Sequence, residues 1–260
     1  MTAIPPGARP QYERNGFFLT PPLLPADLIA DAIERMDAVK DGHYETGIEP
    51  QGRSLAPGET LDKLCKIDQA HRCDNTIRQL LTHPAIGQWA AALTGAEMVQ
   101  IWASQLLIKP PGGDSGHVGW HQDRQYWSYW QKDSQLFTAW IALSEVDADS
   151  GPMCHVRGSH RWGFLDQGNF FGQDQAALKE GIDVPEGEEW DEVPALLPAG
   201  AVSFHDRFTY HGSHANRSNR PRRSFAMHLR TERAQPRPDA DAYYIQHLDD
   251  EAHAPVIYRA

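Results

Sequence analysis

The chain has 260 residues, 40% hydrophobic and 23% charged, which is the composition of a globular protein with room for one large domain. Its 24 Lys and Arg against 35 Asp and Glu give a formal net charge of −11. This acidic balance argues against nucleic-acid and anionic-membrane partners, which need basic surfaces, and leaves a small-molecule partner as the expectation.

Nothing in the sequence indicates export or membrane insertion. The N-terminus, MTAIPPGARPQ, lacks the basic and apolar regions of a secretory signal, and no apolar run approaches the roughly 18 residues of a membrane span. The three cysteines, Cys65, Cys73 and Cys154, have no Cys-x-x-Cys spacing and form no evident disulfide framework. These features favour a reducing compartment, and we expect a cytoplasmic protein. The oligomeric state cannot be inferred from the sequence.

Two amphipathic helices are predicted before residue 95. Residues 25–40 carry one apolar stripe and have Asp27 as a plausible cap; the stripe consists of Leu28, Ile29, Ile33 and Met36. Residues 84–94 begin at Pro84 and stop before Gly95, a typical helix start and stop. We therefore expect the first part of the chain, about residues 1–95, to form a helical layer.

After about residue 97 the pattern changes to short segments rich in β-branched and aromatic residues, separated by Pro/Gly clusters. This spacing is typical of an antiparallel sandwich or barrel. The segments are MVQIWASQLLIK, VGWHQD, LFTAWIALSEV, MCHV, AGAVSFH and SFAMHLR. Residues 164–196 lack strand alternation and are expected to form a long excursion that acts as a rim or lid. We expect one domain over 1–260, with a β-core at about 97–232 and a C-terminal extension at 233–260.

The segment 222–230 illustrates the expected layering. Phe225, Met227 and Leu229 fall on one face of the strand and suit packing under helices. The alternate positions are polar and consist of Arg222, Ser224, His228 and Arg230. A polar row opposite an apolar row indicates either solvent or a polar pocket.

The triplet His121-Gln122-Asp123 is the most informative motif. Side chains at positions i and i+2 of a strand share a face, so His121 and Asp123 can bind one metal ion. A third ligand from downstream would complete two imidazoles and a carboxylate, the set that non-haem Fe(II) oxygenases use. The candidates are His205, His211, His214 and His228. We favour His211, because it closes the apparent strand VSFHDRFTYH before the Gly212-Ser213 turn.

Two further features help to judge this motif. A second His-x-Asp triplet, His247-Leu248-Asp249, has no Arg at a suitable distance downstream, and we interpret it as a surface feature. Arg222, beyond His211, offers a planar fork for the carboxylate of an acidic co-substrate. Its neighbour Arg223 should face the other way by strand alternation.

Three segments resemble the core blocks of the phytanoyl-CoA dioxygenase family: KPPGGDSGHVGWHQDRQYW, TAWIALSEVDADSGPMCHVRGSH and FHDRFTYHGSHANRSNRPRRSF. That family comprises Fe(II)- and 2-oxoglutarate-dependent oxygenases on a double-stranded β-helix, or jelly roll. The resemblance covers roughly residues 15–230. It implies a mainly β fold with N-terminal helices, the cofactors Fe(II), 2-oxoglutarate and O2, and a dioxygenase that hydroxylates a small molecule with release of succinate and CO2.

The resemblance also implies roles for individual residues. It assigns His121, Asp123 and His211 to iron, and these with Arg222 form the expected catalytic set. Around 2-oxoglutarate it places Arg222 and Ser213 at the distal carboxylate, Trp140 and Gln105 along the site, and, by a loose alignment, Lys66. Gln105 departs from the Met of some relatives.

The side chains around the motif are expected to wall the substrate pocket, although several of the rings could equally serve core or lid packing. They are Trp120, Gln122, Arg124, Tyr126, Trp127, Tyr129 and Trp130, with Arg157 nearby. So much aromatic surface favours an apolar, ring-bearing or sugar-like group. No basic patch for the phosphates of CoA is evident, so the family name does not identify the substrate.

Other reaction outcomes and one non-catalytic function are also compatible with the sequence. The same cofactors also support desaturation or epimerisation, because substrate placement decides between them. A non-catalytic metal-binding jelly roll that senses a ligand is an alternative of another class. Halogenation is disfavoured, because halogenating relatives replace the metal carboxylate with Ala or Gly, whereas Asp123 is present here.

Overall fold

A computed structural model of the chain describes residues 3–113 and 116–260. Its α-helices there are Ala8–Asn15 (α1), Ala26–Lys40 (α2), Asn75–Leu81 (α3), Pro84–Thr94 (α4), Gln175–Glu180 (α5) and Tyr243–Gln246 (α6). Its strands are Phe17–Leu19 (β1), Gly52–Arg53 (β2), Cys65–Asp68 (β3), Met98–Lys109 (β4), Val118–His121 (β5), Leu136–Ala142 (β6), Met153–Val156 (β7), Glu192–Pro194 (β8), Val202–Asp206 (β9), His211–Ser213 (β10), Arg222–Thr231 (β11) and Val256–Arg259 (β12). Short 3-10 helices span Ala70–Arg72, Asp123–Tyr126 and Ser159–Trp162.

The strands form two antiparallel sheets, as the sequence pattern predicts. The larger sheet has the order β1-β9-β6-β11-β4-β3-β2, with β12 also paired to β4. The smaller sheet has the order β5-β10-β7-β8. Strand β6 (LFTAWIA) is buried at every position, because helices cover one face of the larger sheet and the cavity side covers the other.

The main core lies between the larger sheet and the helices. Phe225, Met227 and Leu229 of β11 are buried there against apolar residues of α2, α3 and α4. The predicted apolar face of this strand is therefore confirmed, and its polar residues Arg222 and His228 line a cavity on the other side. A register irregularity follows His228 in the ladder with β4.

The predicted helix boundaries agree closely with the structure, with one local correction. Helix α4 spans Pro84–Thr94, and Gly95 ends it with a φ of 67°. Helix α2 begins at Ala26 with Pro25 as its N-cap, so Asp27 lies in the first turn and does not cap the helix. Its carboxylate accepts a hydrogen bond from the backbone N–H of Leu28.

The terminal regions contribute more to the sheet than the sequence indicates. The first 95 residues contain strands β1, β2 and β3 in addition to the helices, so they do not form a purely helical layer. The C-terminal extension returns as β12 to pair with β4. Among the described residues, no helix is long and apolar enough to cross a bilayer.

Candidate active site

Two histidines face each other across the smaller sheet. His121 ends β5 and His211 begins β10, and the antiparallel register pairs the two residues directly. Their ring centroids lie 4.1 Å apart. Strand pairing therefore brings together two imidazoles that are far apart in sequence.

Asp123 completes the set from just beyond β5. The strand ends at His121, so Asp123 does not share its face by alternation; it opens the 3-10 helix Asp123–Tyr126 instead. Its Oδ1 lies 3.7 Å from Nε2 of both His121 and His211. Ligand atoms of the three residues lie within 4.8 Å of one another, in the one such group found in the described part of the chain.

The hydrogen bonds around this set fit a divalent metal. His121 donates its Nδ1–H to the carbonyl of Gly119 at 2.8 Å, and His211 donates its Nδ1–H to the carbonyl of Thr209 at 2.9 Å. Each Nε2 therefore carries a lone pair directed at the Asp123 side of the site. The hydroxyl of Thr138 holds the other Asp123 oxygen, Oδ2, at 2.6 Å.

The protonation states also suit metal binding. Burial alone would raise the pKa of Asp123, but its charge interaction with His211 and its contacts with His121 and His205 lower that pKa well below the usual value. Burial, together with the neighbouring His121 and His205, holds the pKa of His211 well below the ordinary histidine value. A carboxylate beside a neutral imidazole is the form that coordinates a metal.

His205 lies much closer to this centre than the sequence indicates. The apparent single strand VSFHDRFTYH is in fact two strands in different sheets, because the chain turns between β9 and β10. His205 therefore stacks beside His211, with ring centroids 4.4 Å apart, and its Nε2 lies 3.3 Å from Asp123 Oδ2. Its two ring nitrogens are buried without a hydrogen-bond partner among the described residues.

Two buried basic residues, Arg222 and Lys109, lie at the end of the site. Arg222 pairs with Lys109 in the β11–β4 register, and its guanidinium carbon lies 5.1 Å from the ring centroid of Trp140. Arg222 donates to the carbonyl of Gly151, whereas its Nε has no partner among the described residues. Burial lowers the pKa of Arg222 only to about 10, so it stays charged at neutral pH.

Lys109 is a residue that the sequence reasoning missed. It is fully buried behind Ser213 and donates to Ser213 Oγ at 2.7 Å and to the carbonyl of His214. Burial and the nearby charge of Arg222 lower its pKa well below the usual lysine value. Among the described residues, no carboxylate forms an ion pair with Lys109 or Arg222, so this end of the site is suited to an incoming anion. A charged residue within an otherwise apolar strand segment, LLIK, was the available signal.

The predicted cofactor residues divide between two adjoining cavities. The inner cavity is lined by the three candidate ligands together with Gln105, Trp140, Ser213 and Arg222. Lys66 does not line it: its ammonium forms an ion pair with both carboxylate oxygens of Asp68, at 2.7 and 2.8 Å, and it borders the outer cavity. The expected contact of Lys66 with the co-substrate is therefore not supported by the geometry.

The outer cavity, of about 200 Å3, opens from the metal set and is walled mainly by aromatic rings. Tyr126 and Trp127 from the 121–130 segment line it as expected, and so does Tyr129. The remaining rings come from Trp102 on β4, Phe170 and Phe171 of the 164–196 excursion, and Tyr244 of the C-terminal extension. The excursion therefore forms part of the rim.

Several residues expected to contact substrate lie elsewhere. Trp120 packs edge-on against Trp190 in a separate cluster, because its neighbour His121 takes the cavity-facing side of β5. Gln122 is fully buried, and its amide bonds to backbone groups that include those of Gly163, Leu165 and Phe208. The other three residues also have structural surroundings of their own. Arg124 donates to the carbonyls of Trp127 and Trp130, and Trp130 is fully buried. Arg157 forms an exposed ion pair with Asp191.

The remaining histidine candidates are outside the ligand set. His214 is exposed on the turn after β10, and His247 stacks on His253 near the surface. His228 lines both cavities, and its Nδ1 bonds to Thr138 at 3.0 Å.

Comparisons with known proteins give a family match and several similar proteins. A protein-family model described as phytanoyl-CoA dioxygenase matches residues 12–224. A probable alpha-ketoglutarate-dependent hypophosphite dioxygenase of Stutzerimonas stutzeri is 30% identical over 174 residues, which are 64% of this chain and 57% of that relative. The chain thus spans just over half the length of that relative.

Two solved structures from nogalamycin biosynthesis are also similar. The non-haem alpha ketoglutarate dependent carbocyclase SnoK has a TM-score of 0.73 at 24% identity, covering 94% of this chain and 91% of SnoK. The epimerase SnoN has a TM-score of 0.71 at 25% identity, covering 91% of this chain and 87% of SnoN. SnoN has also been solved with Fe3+, alpha ketoglutarate and nogalamycin RO. These likenesses confirm the expected jelly-roll fold with N-terminal helices.

Proposed function

Because this chain belongs to the phytanoyl-CoA dioxygenase family of Fe(II)- and 2-oxoglutarate-dependent oxidoreductases, we propose that it hydroxylates a small organic substrate, consuming O2 and 2-oxoglutarate and releasing succinate and CO2. The observation that carries the proposal is the buried set His121, Asp123 and His211 next to the cation Arg222. A facial set with open positions, together with an anion site beside it, suits a chelating acidic co-substrate.

In this proposal the iron ligands are Nε2 of His121, Nε2 of His211 and Oδ1 of Asp123. The backbone carbonyls of Gly119 and Thr209 orient the two imidazoles, and Thr138 keeps Asp123 Oδ2 turned away from the metal. Such supporting hydrogen bonds fix the ligand tautomers and hold the metal site in shape. Iron, when bound, supplies the activation of O2 and the oxidation of a C–H bond.

The co-substrate is anchored at the far end of the inner cavity. Arg222 and Ser213 hold the distal carboxylate of 2-oxoglutarate, and Lys109 supports Ser213 from behind by donating a hydrogen bond to its Oγ. Because Ser213 Oγ accepts from Lys109, its own proton is available for donation to the carboxylate. Trp140 packs under the guanidinium and keeps water from it. Anchoring the end far from the metal fixes the orientation of the other end.

The first test is anaerobic titration of the Fe(II)-loaded protein with 2-oxoglutarate, followed by the visible charge-transfer band of an iron-chelated keto acid. We expect the wild-type protein to form the band, and Arg222→Ala to weaken co-substrate affinity by about tenfold or more while iron remains bound, since a charge-assisted hydrogen-bond pair is lost. Iron binding without the band would contradict the proposal.

A companion variant tests the metal set itself. Asp123→Ala removes one ligand and leaves two imidazoles, so we expect weaker iron binding and loss of substrate hydroxylation. Full activity in this variant would refute the ligand assignment. Product mass then separates hydroxylation, a gain of about 16 mass units, from desaturation, a loss of about 2, and from epimerisation, which leaves the mass unchanged.

The compartment is also a proposal. The three cysteines are buried and free, with no disulfide among the described residues. Burial raises the pKa of Cys65 and of Cys154 to about 11, which keeps both thiols protonated and unreactive. These observations support a cytoplasmic enzyme that acts on a small molecule.

A further inference from the structure

A short chain of hydrogen bonds runs from the proposed iron site into the wall of the outer cavity. Thr138 Oγ1 lies 2.6 Å from Asp123 Oδ2 and 3.0 Å from His228 Nδ1. All three side chains are buried. The direction of each bond in this chain can be derived from the chemistry of the groups.

The carboxylate of Asp123 can only accept hydrogen bonds, so the hydroxyl of Thr138 must donate to it. That hydroxyl has a single proton, and once it is donated Thr138 can only accept from its second partner. His228 therefore donates through Nδ1–H. A neutral imidazole with a proton on Nδ1 carries a lone pair on Nε2.

Nothing in the described part of the chain occupies that lone pair. His228 lines both the inner and the outer cavity, and its Nε2 has no hydrogen-bond partner among the described residues. Burial also lowers the pKa of His228 to about 4, so the ring stays neutral at physiological pH. His228 Nε2 is therefore available as a hydrogen-bond acceptor at physiological pH.

The ring is also held in one orientation. Its centroid lies 5.4 Å from that of Trp102 and 4.9 Å from that of Trp127. Trp102 in turn packs edge-on against Tyr129 and Tyr244, so the surroundings of the acceptor are rigid and aromatic. A preorganised polar atom in an apolar wall is the usual means by which a pocket selects an orientation of its ligand.

We infer that the substrate is an apolar, ring-bearing molecule with a hydroxyl or N–H group, and that His228 Nε2 accepts a hydrogen bond from that group and so orients the molecule beside the metal. This inference rests on the proposed function. In this role His228 contacts the substrate directly, whereas Thr138 is a positioning residue that fixes the imidazole tautomer. A molecule of the same shape without the donor leaves a buried acceptor unpaired and binds less tightly.

The test uses a matched pair of probes, 1-naphthol and 1-methoxynaphthalene, which share a ring system and an oxygen but differ in the donor proton. Binding is measured by calorimetry to protein loaded with Fe(II) and 2-oxoglutarate under anaerobic conditions. We expect the wild-type protein to bind 1-naphthol about three- to tenfold more tightly, the usual worth of one neutral hydrogen bond.

Two variants distinguish the role of His228 Nδ1 as a donor from that of Nε2 as an acceptor. His228→Asn places an amide N–H where Nδ1 lies, which keeps the donation to Thr138 but removes the acceptor, so the preference for 1-naphthol should disappear. His228→Gln can place an amide oxygen near the position of Nε2, so it should keep most of the preference.

Equal binding of the two probes to wild-type protein, failure of both to bind, or an undiminished preference in His228→Asn would overturn the inference. The charge-transfer titration is run on every variant alongside. If the wild-type protein forms the 2-oxoglutarate band but binds the two probes equally, only this inference is refuted. If the band is absent, the proposed function is refuted.

Discussion

At the scale of single residues, the proposed function gives the two buried basic residues Lys109 and Arg222 the task of holding the co-substrate. Lys109 is fully buried and contacts Ser213 and the carbonyl of His214, while Arg222 borders the inner cavity directly. Lys109→Met keeps the size of the side chain but removes its amine and therefore its hold on Ser213. We expect about a tenfold loss of 2-oxoglutarate affinity in anaerobic titration, with iron binding unchanged.

Lys66→Met is the matched control for this change. Lys66 borders the outer cavity and is neutralised by Asp68, so its replacement should leave 2-oxoglutarate affinity within about twofold of wild type. Equal effects of the two substitutions, or no effect of Lys109→Met, would exclude the assigned role of Lys109.

Residue chemistry explains which parts of the site could be predicted. His121, Asp123 and His211 were identifiable because few residue types bind metals and their spacing is characteristic. Lys109 was not, because the sequence does not show which residue of β4 pairs with Arg222 of β11. Trp120 was wrongly expected in the pocket, although strand alternation places a ring next to His121 on the opposite face.

At the scale of elements, the packing of the 164–196 excursion on β5 determines the rim of the outer cavity. A methyl group on Gly119 of β5 would lie 2.1 Å from the carbonyl oxygen of Asn169 and 2.6 Å from Leu178. Gly119→Ala must therefore push the excursion away from the strand. We expect a loss of about 1–3 kcal/mol in the free energy of unfolding, measured by urea denaturation.

Gly7→Ala serves as the control for Gly119→Ala. A methyl group at Gly7 meets nothing within 4 Å, and the residue has an ordinary helical conformation with φ −85°. Its replacement should change stability by no more than about 0.5 kcal/mol, in either direction. Similar losses for both variants would mean that the crowding at Gly119 is not the cause.

The elements themselves were predicted well where their pattern is periodic and poorly where the chain changes direction. Helix α4 and strands β4 and β7 have the predicted bounds, because capping residues and Pro/Gly clusters delimit them. The turn between β9 and β10 was missed, because the segment has strand-like composition throughout. His205 lies beside His211 because the segment is divided between the two sheets, with β9 in the larger sheet and β10 in the smaller one.

At the scale of the whole molecule, buried histidines make stability depend on pH. His71 joins strand β4 to the C-terminal extension, since its ring nitrogens bond to Ser104 Oγ at 2.7 Å and to the carbonyl of His253 at 2.8 Å. Burial lowers its pKa from 6.5 to about 4. The unfolded chain therefore binds a proton more readily than the folded chain, and stability is lost as the pH falls from about 6.5 towards 4.

From the two pKa values, His71 alone should reduce the free energy of unfolding by about 2 kcal/mol between pH 7.5 and pH 5. Urea denaturation of wild type and His71→Gln at both pH values measures this contribution. The variant should be less stable at pH 7.5 and less sensitive to acid. The same acid sensitivity in both proteins would show that His71 does not titrate in this range.

The overall architecture was predictable because layering follows from the alternation of apolar and polar residues, as in β11. The participation of β1, β2, β3 and β12 in the larger sheet was not, because strands of two to four residues carry little pattern of their own.

The division between the two cavities has a consequence for which substitutions can reshape the outer one. The candidate iron ligands come from β5, β10 and the turn after β5, whereas much of the outer wall comes from β4, the excursion and the C-terminal extension. His228 and Tyr244 even lie beyond the region, 12–224, in which the family pattern is recognisable. Substitutions in these peripheral stretches can therefore reshape the outer cavity while the three candidate iron ligands stay in place.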